Sequence, residues 1–370
     1  MVQKIRYGII GCGSMGREHI ENLKVLPGAV VTAIADTSTQ SRALAQALIE
    51  TPLQAFEHHR DLLASGLCDA VAIATPNFTH AEVLRDALAT DLHILVEKPL
   101  CTTIEDGVEL VRRAKERQAL SWVGQEYRYM PPVAEMIRMT HAGDVGRVHQ
   151  VAIREHRQPF YPKVGDWNRF NANTGGTLVE KCCHYFNLMD VLLREQPVRV
   201  FASGAQRVNH LDERYGGRIP DIIDSAYAIV EYCSGARAML DLCMFAENSM
   251  DKEHIVVVGD EGKLESLLPS LTLRYGRRED CRREAWGQGN DSGKGLNVRR
   301  VWDSSIKYAG QHFGASFIEH QRFANAIREG RPAEVTFEEG LRCVATGIAA
   351  HRSIDTGLPV ALKDVLPQGW

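Results

Sequence analysis

Glu180, His184 and Asn187, in the segment TLVEKCCHYFNLMDVLL, are spaced four and three apart. On a helix that spacing puts them in one row. Leu178, Cys182, Phe186, Met189 and Leu193 form an apolar stripe on the same segment. Polar groups in such surroundings cost free energy unless they are satisfied. The row is therefore either a structural Glu–His pair or a place where a proton is moved, since a histidine titrates near neutrality and can act as a base. Lys98, in LVEKPL at the end of an apolar run, is a second candidate. Its ammonium can stabilise charge growing on an oxygen, or shuttle a proton itself where burial depresses its pKa. A zinc site made of Glu180, Cys182, Cys183 and His184 is disfavoured, because adjacent ligands project to different faces of a helix. No metal is expected.

These groups need elements to hold them. KIRYGII and AVVTAIAD are apolar and β-branched, with helical spacing between them over residues 14–26, and DAVAIATP and HILVEKP follow. Near-continuous apolar strands separated by helices predict a parallel sheet covered on both faces. Ligands of such sheets lie beyond the carboxyl ends of the strands, where Asn77, Glu97 and Lys98 fall. The first strand runs into Gly11-x-Gly13-x-x-Gly16 and a helix. The first glycine allows a tight turn, the second a close approach to a pyrophosphate, and the third close helix–strand packing. Asp36 closes the second strand twenty residues on (36 minus 16); it can accept both ribose hydroxyls and repels a 2′-phosphate. The expected cofactor is NAD. NADP is the weaker reading, kept open by Arg42 one helical turn further on.

A length of 370 residues suits two domains, and 44% hydrophobic with 24% charged residues is ordinary for a soluble globular protein. The formal charge of -4 offers no basic excess for nucleic acid or a membrane surface. No apolar run is long enough for a membrane span, no signal peptide is seen, and nine scattered cysteines suit reduced thiols. A cytoplasmic protein is expected. Beyond LSWVGQEYRYMPP, a helix-like segment PVAEMIRMTHAG leads to the alternating runs GRVHQVAIREHR, SAYAIVEYC, ARAMLDLCMFA, EHIVVVGDEG and LTLRYG. Such alternation predicts a half-buried antiparallel sheet. Helices are expected over 313–329 and 337–355, and RREDCRREAWGQGNDSGKG (277–295) reads as an exposed loop.

GCGSMGREH, IATPNFTH, LVEKPL and GGTLVEKCCHYFNLMD together resemble, in order and over nearly the whole chain, the glucose-fructose oxidoreductase / inositol dehydrogenase / rhizopine catabolism (Gfo/Idh/MocA) family. The resemblance implies an α/β protein. An N-terminal Rossmann domain (1–125) would bind NAD, and a C-terminal α/β domain (126–370) with a large, mostly antiparallel sheet would serve substrate binding and oligomerisation. It implies cofactor contacts from Gly11, Gly13, Ser14, Met15, Gly16, Asp36, Thr75, Pro76, Asn77, His80, Glu97 and Lys98, and a cis bond before Pro99. The family's carboxylate-x-x-x-His pattern falls on Glu180 and His184, with Glu in place of the usual Asp.

The implied reaction is hydride transfer from a secondary hydroxyl of a cyclitol or sugar. His184 would be the base, Lys98 the alkoxide stabiliser and proton relay, and Glu180 the residue orienting them. Arg154 and His156 alternate on one strand face, and Tyr127, Trp167, Asn168, Arg169 and His312 are of types that bind polyols. With Lys98, Glu180 and His184 they form the expected substrate set. His312 would open the last-but-one helix. A homodimer or homotetramer is expected. Two alternatives are a glycoside-cleaving enzyme that uses NAD in a transient oxidation and a non-catalytic NAD- and sugar-sensing protein. Sugar release without net NADH would mark the first, and binding without turnover the second.

Overall fold

The computed structural model describes residues 4–280 and 295–370. Its first sheet is built from β1 (Ile5–Ile10), β2 (Ala29–Ala35), β3 (Gln54–Phe56), β4 (Ala70–Ile73), β5 (His93–Glu97) and β6 (Ser121–Gly124). Every pairing is parallel and the order is β3-β2-β1-β4-β5-β6. Every residue of β4, and every residue of β1 except Arg6, is buried, which explains their continuous apolar reading. The order turns between β1 and β4, so a crevice opens where those strands end. Helices Ser14–Val25, Thr39–Gln46, His59–Ala64, His80–Ala87 and Ile104–Lys115 connect the strands.

The chain divides into two compact units. The first comprises Met1–Tyr129, Pro162–His184 and Ser304–Gly347; the second comprises Met130–Tyr161, Tyr185–Asp303 and Ile348–Trp370. Within the first, helix Ala315–Glu329 packs on helix Ser14–Val25 and on the turn Glu126–Tyr129. His320 meets the edge of Tyr7 at 6.1 Å, and Phe323 meets Trp122 at 5.8 Å, both T-shaped. This helix starts later than its apolar spacing suggests. Phe313 (φ 55°) and Gly314 (φ 86°) lie in the left-handed region, so His312 belongs to the preceding turn and does not open the helix.

The second unit holds a nine-stranded sheet: β7 (Val148–His156), β8 (Pro197–Ala205), β9 (Ser225–Tyr232), β10 (Arg237–Cys243), β11 (Glu253–Gly259), β12 (Gly262–Leu268), β13 (Thr272–Arg277), β14 (Asn297–Arg300) and β15 (Val360–Ala361). The order is β14-β13-β12-β11-β7-β10-β9-β8-β15, antiparallel except for β7 beside β10. Burial alternates along the strands: Ala226, Ala228, Val230 and Tyr232 of β9 are buried, whereas Tyr227 and Ile229 are exposed. Most of the loop expected over 277–295 lies outside the described residues. Among the described residues, no helix is long and apolar enough to cross a membrane, and the cysteines are free thiols.

Candidate active site

A cleft of about 340 Å³ runs along the carboxyl ends of the parallel strands in the first unit. Its glycine turn is built as the spacing demands. Gly11 has φ +93°, and a Cβ there would lie 2.6 Å from the Ala74 backbone; a Cβ on Gly16 would lie 1.9 Å from the Gly11 carbonyl oxygen. At Gly13 a Cβ would meet nothing within 4 Å, so that position faces open space beside the start of helix Ser14–Val25. Unpaired N–H groups and the positive helix end there suit a pyrophosphate. Asp36 holds the turn with its carboxylate, accepting from Cys12 N and Ser38 N at 2.7 Å each. Arg42 donates to the Asp36 carbonyl and, at 3.1 Å, to Thr39 Oγ1.

Of the expected cofactor residues, Gly11, Gly13, Ser14, Met15, Asp36, Thr75, Pro76, Asn77, Glu97 and Lys98 line the cleft. Gly16 lies behind the turn. His80 is fully buried, its ring nitrogens 2.8 Å from the Pro99 carbonyl and 3.0 Å from that of Thr75, so it ties two strand ends together from beneath. Arg17, Thr37, Ser38, Ser41, Ala74, Pro162, Lys163 and Val164 also line the cleft. Of these, Ser38 had a readable signal, since it caps the helix that follows Asp36.

The Lys98–Pro99 bond is cis. Lys98 Nζ donates to the Glu180 main-chain carbonyl at 3.0 Å, which also accepts from Cys183 Sγ at 3.4 Å. The helix expected to run through this segment is interrupted there. Thr177–Glu180 and Cys183–Leu193 are separate, with a turn at Lys181–Cys182. Glu180 thus meets Lys98 through its main-chain carbonyl, its charge also acts on Lys98, and Glu180 and His184 sit on separate helices. A carboxylate lies beside His184, that of Glu126, Oε1 to Nε2 3.6 Å.

Around it, Tyr127 stacks flat on His184 (centroids 4.0 Å, 4° between planes) and accepts from Lys181 Nζ at 2.6 Å. His312 Nδ1 also lies 3.6 Å from Glu126 Oε1. Behind Lys98, Glu97 meets His19 at 3.1 Å, and His19 Nδ1 lies 2.9 Å from His320 Nε2. Nothing in the local sequence marked His19, Glu126, Lys181 or His320, except that Glu126 follows β6, at a strand's ligand-facing end.

Charge states follow from these neighbours. Burial acts to lower the Lys98 pKa, but Cys183, Glu180 and Glu97 outweigh it and raise it. Its neighbours therefore favour Lys98 as an ammonium. Burial, reinforced by Lys98, Lys181 and His312, holds His184 well below its ordinary value, so its imidazole is neutral. Burial works to raise Glu97, yet the hydrogen bond and charge of His19, with Lys98, keep it below the usual carboxylate range.

Trp167 lines the cleft, with its ring 6.4 Å from Phe78, whereas Asn168 and Arg169 are buried. Arg154 and His156 lie on β7 in the second unit, where His156 Nε2 is 3.2 Å from Asp241.

Family models of an oxidoreductase family match most of the chain. Its NAD-binding Rossmann fold covers residues 5–125 and its C-terminal alpha/beta domain residues 137–362. The chain belongs to the Gfo/Idh/MocA oxidoreductase family. This member is 25% identical to the myo-inositol 2-dehydrogenase of Thermotoga maritima, over 98% of this chain and 100% of that one. It is 26% identical to the scyllo-inositol 2-dehydrogenase (NAD(+)) of Bacillus subtilis, over 98% and 97%. Levoglucosan dehydrogenase in complex with NADH shares the fold, with a TM-score of 0.83 at 20% identity over 97% and 99%. A Gfo/Idh/MocA protein of this kind is an oxidoreductase with a Rossmann domain for NAD(H).

Proposed function

We propose that this oxidoreductase removes hydride from a secondary hydroxyl of a neutral cyclitol or sugar. The observation that carries the reading is Lys98 on the cleft wall, its ammonium 3.0 Å from the Glu180 carbonyl at the turn that leads into the His184 helix. When bound, the nicotinamide supplies the acceptor for the hydride. The Lys98 ammonium, held by the Glu180 carbonyl, lowers the energy of a developing alkoxide. His184, in its proton-accepting form and oriented by the Tyr127 ring, takes the hydroxyl proton. Relatives named as inositol 2-dehydrogenases support the cyclitol class.

NAD is favoured over NADP. The Asp36 carboxylate on the cleft wall would repel a 2′-phosphate, and Arg42 is engaged with the Asp36 carbonyl. We also infer that the open face of the second unit's sheet carries self-association. The test of the function is NADH appearance on mixing protein and NAD with inositols, aldoses and anhydrosugars in turn. Turnover is expected with one class of neutral polyol. Silence across the panel with NAD binding intact would reject the reading.

A further inference from the structure

We propose that Glu126 accepts the proton that His184 takes from the substrate and passes it to His312 at the solvent edge. The inference deepens the dehydrogenase reading and rests on it for the source of the proton. Glu126 and His184 are each 2% exposed as side chains and His312 is 20% exposed, so the three run from the interior outward. One carboxylate oxygen, Oε1, lies 3.6 Å from both His184 Nε2 and His312 Nδ1, while Oε2 has no hydrogen-bond partner among the described residues. A buried carboxylate so poorly satisfied costs free energy that an apolar residue would not. Tyr127, stacked on His184 and tilted at 5.7 Å against His312, fixes both rings along one aromatic wall. A separation of 3.6 Å exceeds a hydrogen bond, and catalytic contacts commonly tighten only once ligand is bound.

The groups facing Glu126 are Glu97 and Lys98 at the end of β5, Lys181 before the His184 helix, His184 itself, His312, and Glu319 on helix Ala315–Glu329. Burial, then the charge of Glu97, pushes the Glu126 carboxyl up to about 8, against the pull of Lys98, a hydrogen bond from its own backbone N–H, and Lys181. An imidazolium at His184 is disfavoured by burial and by the same two lysines, so a proton arriving there has to move on.

The step balances as follows. The hydroxyl O–H breaks and its proton goes to His184 Nδ1, which has no hydrogen-bond partner among the described residues. The proton on Nε2 passes to Glu126 Oε1. The C–H hydrogen leaves with both bonding electrons for the nicotinamide, oxidising the alcohol to a ketone. Transfer from Glu126 through His312 to water restores the carboxylate. Only the carboxylate can accept, so oxidation rises as pH climbs through about 8.

The test uses the full-length protein with NAD bound, native and as E126Q and E126D, with isotope-labelled histidine followed by NMR across the neutral to alkaline range. The rings of His184 and His312 should show a common step near pH 8 in the native protein. That step should vanish in E126Q and be displaced but present in E126D. In parallel, kcat for polyol oxidation should lose its alkaline rise in E126Q and fall roughly 100-fold, with KM little changed and E126D partly restored. Unaltered ring titrations in E126Q, or a pH profile that keeps its limb, would overturn the proposal. A native protein that shows the ring step yet oxidises no polyol upholds the Glu126 link and removes the dehydrogenase reading instead.

Discussion

At the scale of single residues, the proposed reaction separates charge stabilisation by Lys98 from proton transfer by His184, and the two can be removed one at a time. Lys98→Met deletes the ammonium and keeps much of the volume. His184→Ala deletes the base and the Tyr127 stack. Each should lower kcat by roughly 100-fold or more while NAD affinity, followed by fluorescence titration of NADH, stays within a few-fold. A kcat left unchanged by His184→Ala would reject its role. Asp36→Ala acts on the cofactor instead and should weaken NAD far more than NADP, since the lost carboxylate served the ribose hydroxyls; equal losses would count against NAD preference. Lys98, Asp36 and the glycine turn were legible in the sequence because each sits at a strand end whose position the apolar pattern fixes. Glu126 was not, because its meaning comes from His184 and His312, brought to it from far along the chain. For Glu180 the spacing did not show the contact it makes to Lys98. Spacing describes side chains on an unbroken helix, and here its main-chain carbonyl leaves the helix to meet Lys98.

At the scale of elements, the cleft depends on strands and helices approaching with no room to spare. Gly16→Ala would set a methyl 1.9 Å from the Gly11 carbonyl oxygen, a backbone atom that cannot swing away. The helix must shift off β1, costing about 2 kcal/mol or more by overpacking. The variant should unfold at lower denaturant and bind NADH poorly even where it remains folded. A second consequence belongs to the buried histidines. His80, His184 and His320 all lie below their ordinary values, burial being the first cause in each, and His351 is pushed down to about 4 for the same reason. The unfolded chain therefore binds protons that the folded protein refuses once pH drops below about 6.5, the unperturbed histidine value. For these rings alone, stability should be full above that pH and decline below it, by up to about 1.4 kcal/mol per pH unit for each, while the raised carboxyls of Glu126 and Glu319 take up protons in the folded state and act in the opposite sense. Denaturant midpoints measured from neutral pH down to about 5, in the native protein and in His351→Gln, check the sign; a variant whose midpoint changes with pH as steeply as the native protein's would show that this ring is not held neutral.

At the scale of the whole molecule, the alternation read in the second half of the chain has a consequence for assembly. Residues pointing one way from the nine-stranded sheet are buried, and those pointing the other include Phe201, Tyr227, Ile229 and Met239, exposed by 42%, 63%, 44% and 40%. The register sets Phe201 opposite Ile229 and Ile229 opposite Met239, so three of them form a continuous apolar row across β8, β9 and β10. Contiguous exposed apolar surface of this kind marks an interaction face in a soluble protein. A flat sheet face meets its own copy most simply about a two-fold axis, where each residue is used twice. Ile229→Asp then places two carboxylates in one interface without touching the buried side of β9 or the cleft of the first unit. Native protein should run as a dimer or tetramer by light scattering, and Ile229→Asp as a smaller species that still binds NADH. An unchanged mass in the variant, or a monomeric native protein, would leave the apolar row without this role.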